Sequence, residues 1–191
     1  MMLRLQVLLF MTTRTSPYAY IDSFRIHPNV LPQNFSKAAF DTTDKIKSRK
    51  DKNWKEKMMQ GSYLVRDFEW GQMSRDMTLF VDDDETAYHI TASEQNQTLL
   101  ISKLSEDYLA LSETYVRIFP SSRNEAPAIF KKGGKYFMFS SGLTGWKPNP
   151  GRLGVADIML GKWTFLGNPV VGSDEEKATT FQSQSTYVIP V

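Results

Sequence analysis

Three times along this chain a polar side chain opens a short apolar run. Asp76 leads Met77-Thr78-Leu79-Phe80-Val81, Glu125 leads into Ala128-Ile129-Phe130, and Gln184 leads Ser185-Thr186-Tyr187-Val188-Ile189. The period is about 50 to 60 residues, and several short strands per unit at such a period mark a sheet repeated around an axis. In a propeller of this kind the first strand of every sheet starts near one mouth of the central channel, so the residues leading those strands converge. Asp76, Glu125 and Gln184 are therefore expected on one end of adjacent inner strands, with their side chains in a shared cleft.

The strand pattern is clearest around Glu125. Ala128 to Phe130 and Tyr136 to Phe139 are apolar runs on either side of Gly133-Gly134, a pair that supplies the positive φ of a tight hairpin. Pro127 fixes the backbone just after the carboxylate, a place where an acid can be desolvated and aimed. One four-stranded unit is predicted from Met77 to Val81, Thr86 to Thr91, Thr98 to Leu104 and Tyr115 to Phe119, with Leu111-Ser112-Glu113 read as a turn. A second is predicted from Ala128 to Phe130, Lys135 to Ser140, Leu153 to Ala156 and Trp163 to Leu166, and a third begins at Ser185. Ser16 to Ile21 repeats the turn and aromatic edge strand of Gly161 to Leu166. The fold class is thus all-β, with residues 1-191 forming one incomplete propeller of about two full four-stranded blades plus pieces.

Residues 27-70 break this pattern and read as a partly helical insertion outside the blades. Ser36 is a plausible helix cap, and the basic run from Lys45 to Lys57 is interrupted by Asp51 and Glu56, as on a solvated helix. No aromatic ladder accompanies the lysines, as a nucleic-acid groove would require, so no nucleic-acid partner is expected.

Composition closes several other routes. The chain has 41% hydrophobic residues, enough for a core, and a net charge of +2, which gives no reason to expect a polyanion partner. With no cysteine and only His27 and His89 for imidazole, thiolate nucleophiles, a His-rich metal site and a Ser-His relay all lack support, and neither metal nor cofactor is expected. His89 reads as a packed strand residue. Asp82-Asp83-Asp84 reads as a hairpin turn, because the glycine and the distal glutamate of an EF-hand loop are missing. The apolar run from Val7 to Met11 is too short to cross a bilayer and lacks a signal cleavage site, so no membrane partner is expected.

Several ordered motifs resemble glycoside hydrolase family 43, in the branch of exo-acting galactan 1,3-β-galactosidases. They are Gly71 to Asp84, Tyr88-His89-Ile90, Ser93-Glu94, Asn124-Glu125-Ala126-Pro127, Ser141 to Trp146 and Ser183 to Tyr187. The resemblance implies a five-bladed propeller that hydrolyses the glycosidic bonds of a galactan or a related plant oligo- or polysaccharide by inversion. It assigns Glu125 as general acid, Asp76 as the aspartate that tunes and orients that acid, and Gln184 as the holder of the attacking water. It also implies that Trp146 stacks on a sugar ring, with Thr144, Glu94 and Asn96 as hydroxyl partners, and that the protein is secreted or periplasmic. Nothing in the chain matches the family's first blade, so the chain reads as a fragment. Two expectations follow: weak turnover by the chain alone, or a rival role as a non-catalytic carbohydrate-binding or vestigial module.

Overall fold

The computed structural model describes residue 46 and residues 50–64, 73–185 and 187–189. The apolar run from Val7 to Met11 and the strand expected at Ser16 to Ile21 lie outside the described residues. Eight strands form two four-stranded antiparallel sheets, each a meander in which neighbours in sequence are neighbours in space. The first sheet holds β1 (Arg75–Val81), β2 (Ala87–Ser93), β3 (Thr98–Leu104) and β4 (Leu111–Ile118). The second holds β5 (Asn124–Lys132), β6 (Lys135–Gly142), β7 (Arg152–Ala156) and β8 (Thr164–Gly167). The first strands of the two sheets, β1 and β5, lie side by side.

Period-two alternation explains how the sheets meet. Ile90 stands opposite Ile101, Ala92 opposite Leu99, and Leu99 opposite Ile118, so one face of the first sheet is continuous hydrocarbon. That face packs on Ile129, Tyr136, Met138 and Ala156 of the second sheet, with Met159 and Trp163 completing the core. Phe119, just past β4, stacks on Phe165 of β8 with ring centroids 3.7 Å apart. Gly154 makes room for it, because a Cβ there would stand 2.8 Å from the Phe119 ring. At one end of the pair the Asp82 turn of the first sheet meets the hairpin of the second. Lys131 Nζ donates to Asp82 at 2.5 Å and to Asp83 at 2.8 Å, and the Tyr136 hydroxyl donates to Asp82 as well.

The Gly133-Gly134 hairpin forms as its sequence requires, with φ of 58° and 74° joining Lys132 to its partner Lys135. The run Leu111-Ser112-Glu113, read as a turn, instead begins β4, where Leu111 pairs with Leu104. The expected strand from Ser185 to Ile189 is not formed by its described residues, which have no ladder partner. Ahead of them the chain makes a short helix α2 (Asp174–Thr179), closed by a capping box between Ser173 and Glu176, and then a 3-10 turn (Thr180–Gln182).

Part of the segment read as a solvated insertion is well buried. Its helix α1 (Trp54–Met59) presents Met58 to Ile46 and Leu64 in a small apolar cluster. Arg117 of β4 reaches into this segment, donating to the carbonyls of Gly61 and Ser62 at 3.1 Å each, with its guanidinium 3.9 Å above the Tyr63 ring. The lysines hid this packing in the sequence because they occupy the outer side of the same turns.

Candidate active site

At the end of the sheets opposite the Asp82 turn, β1 and β5 open with the same irregularity. The ladder slips between Arg75 and Met77 in β1 and between Glu125 and Ala128 in β5. The residues at the two bulges, Asp76 and Ala126, have left-handed φ of 37° and 51°, a conformation non-glycine residues hold only when surroundings impose it. A bulge re-aims a side chain that a regular pleat would send elsewhere. Thr91 supports the first bulge: its hydroxyl donates to the Arg75 carbonyl at 2.7 Å and lies 2.9 Å from the Ser74 hydroxyl. The second is tied to the first, because the Ala126 N–H donates to Asp76 Oδ2 at 3.2 Å.

Glu125 sits between these bulges, 9% exposed. Asn96, on the β2–β3 turn, donates from Nδ2 to Glu125 Oε2 at 3.4 Å, and the Gln184 amide hydrogen-bonds the same carboxylate. Burial pushes the Glu125 carboxyl above the ordinary glutamate range, and the Asp76 charge pushes it further. The Gln184 and Asn96 hydrogen bonds and the Arg75 charge pull the other way without cancelling the rise. The Asn96 side-chain oxygen is buried and accepts no hydrogen bond. Upstream of Glu125 the backbone is pinned by Arg152, which donates to the carbonyls of Ser122 and Arg123 and to Asn124 Oδ1 at 2.6, 3.0 and 2.8 Å.

Of the residues singled out in the sequence, the fold brings Asp76, Glu125, Gln184 and Asn96 together. Gln184 arrives differently from the expectation: it stands on an exposed non-strand segment, with its amide near enough to Glu125 to favour the charged carboxylate. Glu94 is not available to a ligand. It is fully buried, and both carboxylate oxygens are taken at 2.6 Å by Arg117 Nε and Nη2, with Thr98 donating to one of them at 3.1 Å. That pairing holds the Arg117 guanidinium above its ordinary pKa and makes Glu94 part of the frame. Thr144 donates to the Lys147 carbonyl at 2.6 Å and accepts from Asn149 at 2.8 Å, so its hydroxyl shapes its own loop. The Trp146 side chain on that loop stands wholly in solvent. Arg117, Arg152 and Thr91 carried no sequence signal, because each works through a partner distant in the chain. Among the described residues no cluster of three or more His, Asp or Glu side chains is arranged to hold a metal ion, and no helix is long and apolar enough to cross a membrane.

A buried carboxyl held toward its protonated form, with a second carboxylate and two side-chain amides around it, can give a proton to an oxygen of a bound molecule. Sites of this class serve acid-assisted bond cleavage. Residues 41–187 match the model of the glycosyl hydrolases family 43, and the chain belongs to that family. It is similar to a GH43 β-1,3-galactosidase solved with galactodeoxynojirimycin, at 48% identity and a TM-score of 0.78 over 87% of this chain and 49% of that one. It is also similar to a second GH43 β-1,3-galactosidase at 46% identity and a TM-score of 0.60, and to an exo-β-1,3-galactanase from Clostridium thermocellum at 33% and 0.57. Each of those two matches covers 63% of this chain and 25% of the other. The chain thus spans about half the length of the first of these relatives and a quarter of the others. No curated protein sequence matches it.

Proposed function

We propose that this chain is a glycoside hydrolase that releases galactose from β-1,3-linked galactan by inversion, with Glu125 as general acid. The observation that carries the reading is the buried Glu125 carboxyl, held by Asn96 and next to the Ala126 N–H that donates to Asp76, where burial first and the Asp76 charge second push its pKa up. A carboxyl held toward its protonated form donates its proton to the glycosidic oxygen as the bond from that oxygen to the anomeric carbon breaks. Asp76 stays alongside as the charge that pushes the Glu125 pKa up, and Asn96 fixes one carboxyl oxygen so that the other faces the leaving group.

Inversion also needs a water on the far face of the sugar, with roughly 6.5–9.5 Å between the groups that serve acid and water. The Gln184 amide acts on the Glu125 carboxyl as a hydrogen-bond donor, closer than that separation. It takes up the water only after the glycosidic oxygen has displaced its amide from the acid. The two sheets would be two neighbouring blades of a five-bladed propeller, a reading supported by the side-by-side first strands and by family membership. The buried, unpaired Asn96 oxygen accepts from a sugar hydroxyl in this reading.

The test is galactose release from β-1,3-galactan by the purified chain. General acid catalysis contributes about 10²–10⁴-fold, so Glu125→Gln should lower turnover by that range. Equal turnover by the wild type and Glu125→Gln would defeat the assignment. Saturable binding of galactan oligosaccharides with no release by either would favour a carbohydrate-binding role.

A further inference from the structure

Gln184, whose amide acts on the Glu125 carboxyl, belongs to no strand, yet the next residue, Ser185, is bonded to Ala126 beside Glu125, so something other than a ladder holds this segment there. Ala126 supplies the hold. At the β5 bulge its backbone groups fall out of register with β6, and Pro127, which follows, has no N–H to offer. Backbone groups left in a partly buried place need partners, and both groups of Ala126 find them in side chains from other parts of the chain. The N–H donates to Asp76 Oδ2 at 3.2 Å, and the carbonyl accepts from Ser185 Oγ at 2.8 Å. One residue in a left-handed conformation thereby joins β1, β5 and the segment after the 3-10 turn. The residues next to these ties are the ones that meet: Glu125 precedes Ala126, and Gln184 precedes Ser185.

We infer that Ser185 is a positioning residue whose hydroxyl, hung on the Ala126 carbonyl, sets the Gln184 amide against Glu125. The inference rests on the glycosidase reading for its functional meaning, and on geometry alone for the clasp. The charged groups facing Glu125 are Arg75 and Asp76 of β1, and its amide partners are Asn96 and Gln184. Of these contacts, the clasp governs the Gln184 amide.

The test follows the titration of the Glu125 carboxyl by carbon-detected NMR in the intact chain, which needs no turnover. An amide hydrogen bond favours the charged carboxylate, so losing it raises the midpoint. Gln184→Ala should raise the Glu125 midpoint by about 0.5 to 1 in pH. Ser185→Ala should raise it equally, the double variant should move it no further, and Ser185→Thr, which keeps the hydroxyl, should restore the wild-type value. A Ser185→Ala midpoint equal to wild type, shifts that add in the double variant, or no shift in Gln184→Ala would each overturn the clasp. Lack of galactan turnover by the wild type alongside the expected titration would sink the glycosidase reading and leave the clasp standing.

Discussion

The meeting of Glu125 and Asp76 was legible in the sequence because each opens an apolar run at the spacing of a repeated sheet, whereas the bulges that aim their side chains were not. Glu94 was not, because what decides its role is Arg117, 23 residues further on, and that pairing turns a candidate ligand into a buried structural ion. The coupling of the two legible residues is open to measurement. The Asp76 charge helps raise the Glu125 pKa, so Asp76→Asn should lower it and move the basic limb of kcat/KM to lower pH. An unmoved limb would remove Asp76 from the role of tuning charge. Linkage gives a second expectation for the same site. A carboxyl whose pKa rises on folding contributes stability that is complete below its unfolded value, near 4.5, and lost as pH rises through the folded value. At neutral pH the folded state has therefore lost that contribution, because the unfolded chain releases this proton at lower pH than the folded one does. Glu125→Gln should melt a few °C above the wild type at pH 7 and no higher at pH 4, as thermal unfolding at the two pH values will show.

At the scale of elements, the eight strands followed from periodicity, and the errors have local causes. Leu111 joined β4 because Leu104 pairs with it across a slipped register, information that lies outside the segment itself. The run after Gln184 has strand-like composition but finds no neighbouring strand, and propensity without a partner does not make a ladder. The fastening of residues 50–64 to the first sheet was invisible because it depends on Arg117, which serves Glu94, Gly61, Ser62 and Tyr63 at once. Removing one member of a buried ion pair leaves the other charge uncompensated, at a cost of about 3–5 kcal/mol, whereas replacing both by neutral groups is often close to neutral. Arg117→Met should accordingly lose stability in that range, and Glu94→Gln with Arg117→Met should recover much of it. Urea unfolding midpoints of the two variants decide the matter; a double variant no more stable than the single one would mean that Glu94 is not held by this arginine.

For the whole molecule, the response to acid depends on a residue that takes no part in the chemistry. His89 is buried on β2 beside the Met77 sulfur, 3.4 Å from its Nε2, and burial lowers its pKa from 6.5 to about 4. The unfolded chain thus takes up a proton at a pH where the folded one refuses it. Stability contributed by the neutral ring is complete above about 6.5 and is lost as pH falls from there toward 4. A difference of this size corresponds to roughly 3 kcal/mol over that window, a large share of what a domain of this length has to lose. Glu125 works in the opposite direction above pH 4.5, since deprotonation destabilises its folded form. The two effects separate by substitution. His89→Leu, which cannot protonate, should be less sensitive than the wild type between pH 6.5 and 4, and the difference between the two unfolding free energies should follow a single titration. Asp82, held below its ordinary pKa despite burial by the hydrogen bonds from Lys131 and Tyr136, adds a further loss only below about pH 4, where its link between the sheets is protonated. A wild-type chain whose stability stays flat from pH 6.5 to 4 while His89→Leu behaves identically would show that this imidazole is open to water.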